Sequence, residues 1–235
     1  MTELLYPLDS YRKEFSALVE SSEQNNVVLS STAFYPGGGG QPSDTGILKW
    51  KSEHARVTSA KRDGANVVHI LDGAAPARGT EVHGTIDWDR RYALMRTHTA
   101  LHILCGVIFR DFGSQVTGGN MEPLKARMDF ELAQLSPDFC HDIETRVNLE
   151  IEAARPVTVR IVPREEAFQI PDLIRTKINL LPEGIEEVRI VHIEGLDLQA
   201  DGGTHVANTR EVGRIQVVGY ENKGKINKRL RIIVE

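Results

Sequence analysis

His98 and His102 stand four residues apart within the run Tyr92–Cys105, a spacing that stacks two imidazoles on one face of a helix. Much later in the chain, Asp201 and His205 bracket Gly202, Gly203 and Thr204. Paired glycines between a carboxylate and a histidine suit a tight turn. Neutral imidazole nitrogens and carboxylate oxygens are donors that zinc accepts, about four at a time. The helix offers two and the turn offers two, so His98, His102, Asp201 and His205 could together close one site holding one zinc per chain. The chemistry such a site suggests is metal-assisted hydrolysis. The helix half alone says less, because Leu94, Leu101, Cys105 and Ile108 form an apolar stripe with both histidines along its edge. A histidine pair there is more often a packed boundary feature than a ligand set. The turn at 201–205 is what moves the reading toward a metal.

Two other classes make different demands on the same residues. A zinc protease of the His-Glu-x-x-His type needs a glutamate directly after its first histidine as general base, and Thr99 stands there instead. A non-catalytic RNA-binding module with a structural metal would fill every coordination position with protein, which three histidines and Asp201 could do. Metal removal separates that module from a hydrolase: an active site loses hydrolysis with its fold intact, whereas a structural site unfolds.

The elements that must position these residues fall into two parts. Up to about Trp88 the pattern is of short strands, 27–32, 55–60, 67–71 and 81–86, broken by Asp63-Gly64, Asp72-Gly73 and Pro76. A small β-barrel-like domain over residues 1–88 follows from this. It contains Ala33–Pro42, whose four glycines, Gly37 to Gly40, suit close approach of backbone to another group. No Gly-Lys-Ser/Thr follows them, so a phosphate-cradling P-loop is disfavoured. After Asp87–Arg91 the pattern turns helical, which opens a second, α+β domain over residues 89–235. Ser136 as N-cap and Pro137 in the first turn announce another helix, carried by Phe139, Ile143, Val147 and Ile151 and ended before Pro156. The stretches 157–162, 188–193, 213–218 and 230–234 alternate as strands of an antiparallel sheet with helices packed on one face. The fold class expected for the whole chain is α+β.

Composition narrows the setting. With 235 residues, 40% of them hydrophobic, the chain can build one large core or two small ones. Cys105 and Cys140 are its only cysteines, too few for a disulfide framework or a cysteine zinc ribbon, so a reducing, cytoplasmic setting is expected. No apolar run is long enough to cross a bilayer, and no membrane partner is expected. A net charge of −5 argues against general coating of nucleic acid. Lys223, Lys225, Lys228, Arg229 and Arg231 nevertheless cluster near the carboxy terminus, a patch that reads either as a solvated face or as a phosphate-contacting surface.

Several motifs, in order along almost the full chain, resemble one family: Phe34–Gly46, with its Phe-Tyr-Pro-Gly-Gly-Gly-Gly-Gln-Pro core; Asp87–Arg91 leading to Met95–His102; Gly202–Gly213; and Glu221–Lys225. They are similar to the editing domain of alanyl-tRNA synthetase and to the free-standing alanyl-tRNA editing proteins called AlaX, in their medium-sized form without an aminoacylation domain. The resemblance implies a zinc held by two helix histidines, a cysteine and a histidine four residues after it. Those roles fall on His98, His102, position 201 and His205. Position 201 is Asp here, which either ligates through oxygen at about 2.0–2.2 Å or orients a neighbouring histidine from outside the ligand set. The implied reaction is deacylation of mischarged alanine tRNA, chiefly seryl-tRNA and possibly glycyl-tRNA, with His98, His102 and His205 acting through the metal. The resemblance also implies that the glycine loop helps shape the amino-acid pocket, with Thr32, Gly38, Gly39 and Gln41 as substrate-binding candidates. Lys223, Lys225, Lys228 and Arg229 are the candidates for the tRNA acceptor end.

Overall fold

The computed structural model describes residues 1–133, 135–176, 184–224 and 226–235. Within it the chain divides into two compact units, Met1–Ala93 and Leu94–Glu235.

The first unit contains β1 (Glu3–Leu4), β2 (Glu14–Glu23), β3 (Asn26–Leu29), β4 (Ser31–Thr32), β5 (Gly46–Trp50), β6 (Glu53–Asp63), β7 (Asn66–Leu71) and β8 (Glu81–Ile86). Six of these close into a barrel in the order β2-β3-β7-β6-β5-β8, while β1 and β4 make a short parallel pair. Period-two alternation explains the core: Phe15, Ala17 and Val19 of β2, Val67, His69 and Leu71 of β7, and Val82 and Ile86 of β8 are buried while their neighbours are not. Strands β2 and β5 lie outside the stretches expected from sequence. Ser16, Glu20, Ser21 and Ser22 make β2 mostly polar and small, and β5 is five residues long.

The glycine loop is fixed within this unit. Gly38 and Gln41 exchange backbone hydrogen bonds at 3.0 and 2.9 Å, and the two residues between them, Gly39 and Gly40, have φ of 56° and 85°. Positive φ at both central positions is what a type I′ turn requires and what side chains resist. Beside the loop, Arg91 and Asp44 form a fully buried ion pair, with Arg91 Nε 3.0 Å from both carboxylate oxygens. The same guanidinium donates to the carbonyls of Ser10 and Ala33, and Asp44 accepts from the Tyr35 amide.

Helix α1 (Trp88–Phe112) begins in the first unit and continues into the second. Asp87 precedes it as N-cap, with its Oδ1 3.5 Å from the Arg90 amide. Gly113, at φ +63°, ends it by donating to Phe109 O.

The second unit continues with β9 (Val116–Glu122), β10 (Lys125–Glu131), α2 (Pro137–Glu152), β11 (Val157–Pro163), α3 (Arg164–Ala167), β12 (Glu187–Ile193), β13 (Asp197–Ala200), a 3-10 turn (Thr209–Val212), β14 (Ile215–Asn222) and β15 (Asn227–Val234). Ser136 Oγ caps α2 by accepting from the Phe139 amide at 3.1 Å, and Pro137 opens the helix. The fold is α+β with antiparallel sheets, as expected. The four strands read from sequence do not share one sheet, however: β14-β15-β10-β9 form one and β11-β12-β13 another. The difference comes from the hairpin β9–β10, whose Gly118, Gly119 and Asn120 hide its alternation and which takes the edge of β15 that a single sheet would have used. Among the described residues no helix is long and apolar enough to cross a membrane.

Candidate metal centre

Helix α1 presents His98 and His102 one turn apart, with ring centroids separated by 5.2 Å. Leu94, Leu101, Cys105 and Ile108 are all buried, and so are Ala100, Ile103, Leu104 and Val107. The histidines therefore lie on a helix held firmly rather than on a free amphipathic face.

Asp201 and His205 come from the loop between β13 and the 3-10 turn. Backbone contacts register this loop: the Asp201 amide donates to Arg189 O at 3.1 Å, and Arg189 Nη1 donates to Asp201 O at 2.8 Å. Asp201 Oδ1 accepts from the Gly203 amide at 2.7 Å, which curls the turn. Beyond it, Asn208 and Glu211 form a reciprocal capping box on the 3-10 turn.

The four side chains converge. One donor atom from each of His98, His102, Asp201 and His205 lies within 4.8 Å of all the others. His205 Nε2 is 3.0 Å and His98 Nε2 3.5 Å from the Asp201 carboxylate. His98, His102 and His205 are each less than a twentieth exposed. Three imidazoles and one carboxylate at this spacing are a donor set that fits a single tetrahedral cation with small adjustments of side chain.

Two residues outside the donor set hold its rings, and sequence reasoning missed their role. His102 Nδ1 lies 2.9 Å from Asp197 Oδ2, and His205 Nδ1 lies 3.2 Å from Thr99 Oγ1. Thr99 also accepts from the Val206 amide, so it fastens the 201–205 loop to α1. A carboxylate flanked by Leu196 and Leu198 at the start of a strand was the available signal for Asp197.

Electrostatics follow from burial. Desolvation pushes the His98 pKa down to about 4, against a pull upward from Asp201. Burial and the nearby His98 hold His205 well below the ordinary imidazole value too. Burial works against ionisation of Asp201, but His98, His205 and His102 outweigh it and keep the carboxyl well below the usual range. For His102 burial again lowers, yet the hydrogen bond and charge of Asp197 outweigh it and raise the value. One buried and one partly buried carboxylate thus face three rings, of which His98 and His205 are neutral donors at neutral pH.

The other residues singled out from sequence lie elsewhere. In the first unit Thr32 is fully buried, with Oγ1 2.8 Å from His69 Nε2 and accepting from the Phe34 amide. His69 Nδ1 is 3.2 Å from Val27 O, a group that only accepts. The network therefore puts the ring proton on Nδ1 and makes the Thr32 hydroxyl the donor to Nε2. Gln41 is buried as well, and Gly38 accepts from Tyr35 Oη. In the second unit Lys223 is exposed. Lys228 is buried and donates to Gly224 O at 2.8 Å. Arg229 is paired with both oxygens of Asp129 at 2.7 Å. Lys225 lies outside the described residues.

Residues 8–90 match the family model of class II (A) tRNA synthetases, and residues 188–231 match that of the threonyl and alanyl tRNA synthetase second additional domain. The chain is 43% identical to the alanyl-tRNA editing protein AlaX-M of Saccharolobus solfataricus over the whole of both chains. It is 41% identical to the AlaX-M of Methanosarcina barkeri over 98% of each. It also matches the alanine–tRNA ligase of Ignicoccus hospitalis, at 39% identity over 92% of this chain but 24% of that protein. The chain belongs to the AlaX-M family of alanyl-tRNA editing proteins.

Proposed function

We propose that this protein is a trans-editing hydrolase that deacylates mischarged alanine tRNA, chiefly seryl-tRNA, with one bound zinc. The observation that carries the reading is the convergence of His98, His102, Asp201 and His205 in a chain that matches AlaX-M proteins from end to end. A bound zinc would supply Lewis acidity toward the ester carbonyl or toward the attacking water. The chain's own part is to present neutral imidazoles and an ionised Asp201 as donors, and to hold two of the rings through Asp197 and Thr99.

Such an enzyme has a physical reason to exist. A synthetase pocket that admits alanine rejects serine, which adds one hydroxyl, by only about a hundredfold. A second site that hydrogen-bonds that hydroxyl reverses the preference, because alanine leaves its polar groups unpaired. The reading gives this task to Thr32 and Gln41, with Gly38 and Gly39 shaping the pocket. Thr32 spends its proton on His69, so it would meet a seryl hydroxyl as an acceptor. Lys223, Lys225, Lys228 and Arg229 are assigned to the phosphates of the acceptor end. The setting is cytoplasmic, where the free Cys105 and Cys140 stay reduced.

The test is deacylation of seryl-, glycyl- and alanyl-tRNA by the purified protein before and after chelation. Release of serine well ahead of alanine, lost on chelation and restored by zinc, is the expected result. Equal rates on all three, or none on any, would refute the reading. Thr32→Val, with the hydroxyl gone and the shape kept, should narrow the seryl-to-alanyl ratio.

A further inference from the structure

Asp197 opens β13 with a side chain 1% exposed. Its Oδ2 accepts from His102 Nδ1 at 2.9 Å and from Gln199 Nε2 at 2.7 Å. Its Oδ1 faces Arg175 Nε at 3.9 Å, beyond hydrogen-bond range, and the Arg175 guanidinium lies 3.6 Å from the centre of the Phe109 ring on α1. A buried carboxylate is costly unless something balances it. Here a stacked, mostly buried arginine, the Gln199 amide and one imidazole N–H do so, and nothing in the donor set requires the carboxylate for its own coordination.

We infer that Asp197 is a positioning residue of the metal centre, accepting a hydrogen bond from His102 Nδ1–H so that the proton stays on Nδ1 and Nε2 keeps a lone pair for the cation. The consequence is twofold. The ring cannot flip or change tautomer without costing a buried carboxylate one of its hydrogen bonds, and the anion makes Nε2 a stronger donor than an imidazole bonded to a neutral group. Arg175 balances Asp197 from the side away from the ring, which keeps the carboxylate a hydrogen-bond acceptor for His102 rather than a competing ligand. On its Nδ1 side His205 meets the neutral Thr99, so behind the site the two rings are held by different means. A sequence search for ligands finds neither, because both partners are ordinary residues on the face behind the rings.

The inference rests on the metal reading, and the experiment separates the two. Zinc affinity is measured by chelator competition on the full chain for wild type, Asp197→Asn and Asp197→Ala. The asparagine keeps an acceptor and loses the charge, so affinity should fall by about tenfold, and by about a hundredfold for alanine. Wild type that binds no zinc overturns the metal reading and this inference with it. Wild type that binds zinc, with both variants within twofold of it, overturns this inference alone. A second measurement needs no variant: long-range proton–nitrogen correlation of the zinc-loaded wild type should show His102 protonated on Nδ1 and bare on Nε2. A proton on His102 Nε2 refutes the assignment even if both variants fail to fold.

Discussion

His69 provides a test in which folding, protonation and the barrel core are read by one number. The ring is fully buried between β3 and β7, and desolvation lowers its pKa from 6.5 to about 4 against a smaller upward pull from the Val27 carbonyl. A folded-state pKa below the unfolded value means that the unfolded chain binds the proton first. Stability from this group is therefore complete above the unfolded pKa and drains away as pH falls toward the folded one. Taking 6.5 and about 4 as the two values, linkage gives a loss of about 2 kcal/mol between about pH 7 and about pH 5 from His69 alone. Moving the folded value up by a unit changes that loss by only a few tenths of a kcal/mol. The perturbation is His69→Gln, which removes the titration while keeping polar atoms for Thr32 and Val27. Urea unfolding at both pH values, with metal held constant, gives the slope for each protein. His98 and His205 titrate in the same direction in both and cancel in the difference. The wild type should lose about 2 kcal/mol more than the variant across this range. Parallel losses within about 0.5 kcal/mol would mean that the folded ring is protonated or hydrated, and the buried Nδ1–H assignment would fail.

Four further outcomes follow from other sites. Asp44→Ala strands the Arg91 guanidinium in the barrel unit and should cost about 3–5 kcal/mol in urea unfolding, while a loss under 1 kcal/mol would show that the pair is dispensable. Asp201→Cys should bind zinc as tightly as wild type or more tightly, since thiolate is the softer donor; chelator competition showing weaker binding would place Asp201 outside the ligand set. If the β14–β15 turn meets phosphates, Lys223→Ala should flatten the salt dependence of tRNA binding by about 0.7–0.9 in log–log slope. Arg229→Ala should instead lower stability through the loss of its bidentate contact with Asp129, seen in thermal unfolding. An unchanged slope for Lys223→Ala makes the turn a solvated face.

What the sequence made legible was whatever carries its own period or chemistry. Ser136 and Pro137 mark the start of α2 because capping is local, and His98, His102, Asp201 and His205 stand out because few other side chains donate to metals. Strand β9 escaped because its glycines give alternation nothing to alternate, and β2 because exposed Leu18 between buried Ala17 and Val19 blurs its period. Asp197 and Thr99 escaped because their importance lies in what they touch, 95 and 106 residues away along the chain. The carboxy-terminal basic run shows the cost of counting charges without a period. Lys228 falls in step with Leu230, Ile232 and Val234, all buried, while Arg229 and Arg231 point the other way. Reading that segment as a strand already separates one inward lysine from its neighbours.

The donor set is divided between a helix and a loop made much later, and this has a consequence during synthesis. A ribosome adding about 5–20 residues per second completes α1 and then needs on the order of ten seconds more to reach His205. Throughout that interval the nascent chain holds His98 and His102 without Asp197, Asp201 or His205. A two-histidine site binds transition metals loosely and with little choice among them. On the metal reading proposed above, selection of an ion would wait until Asp201 and His205 are made and β13 is in place.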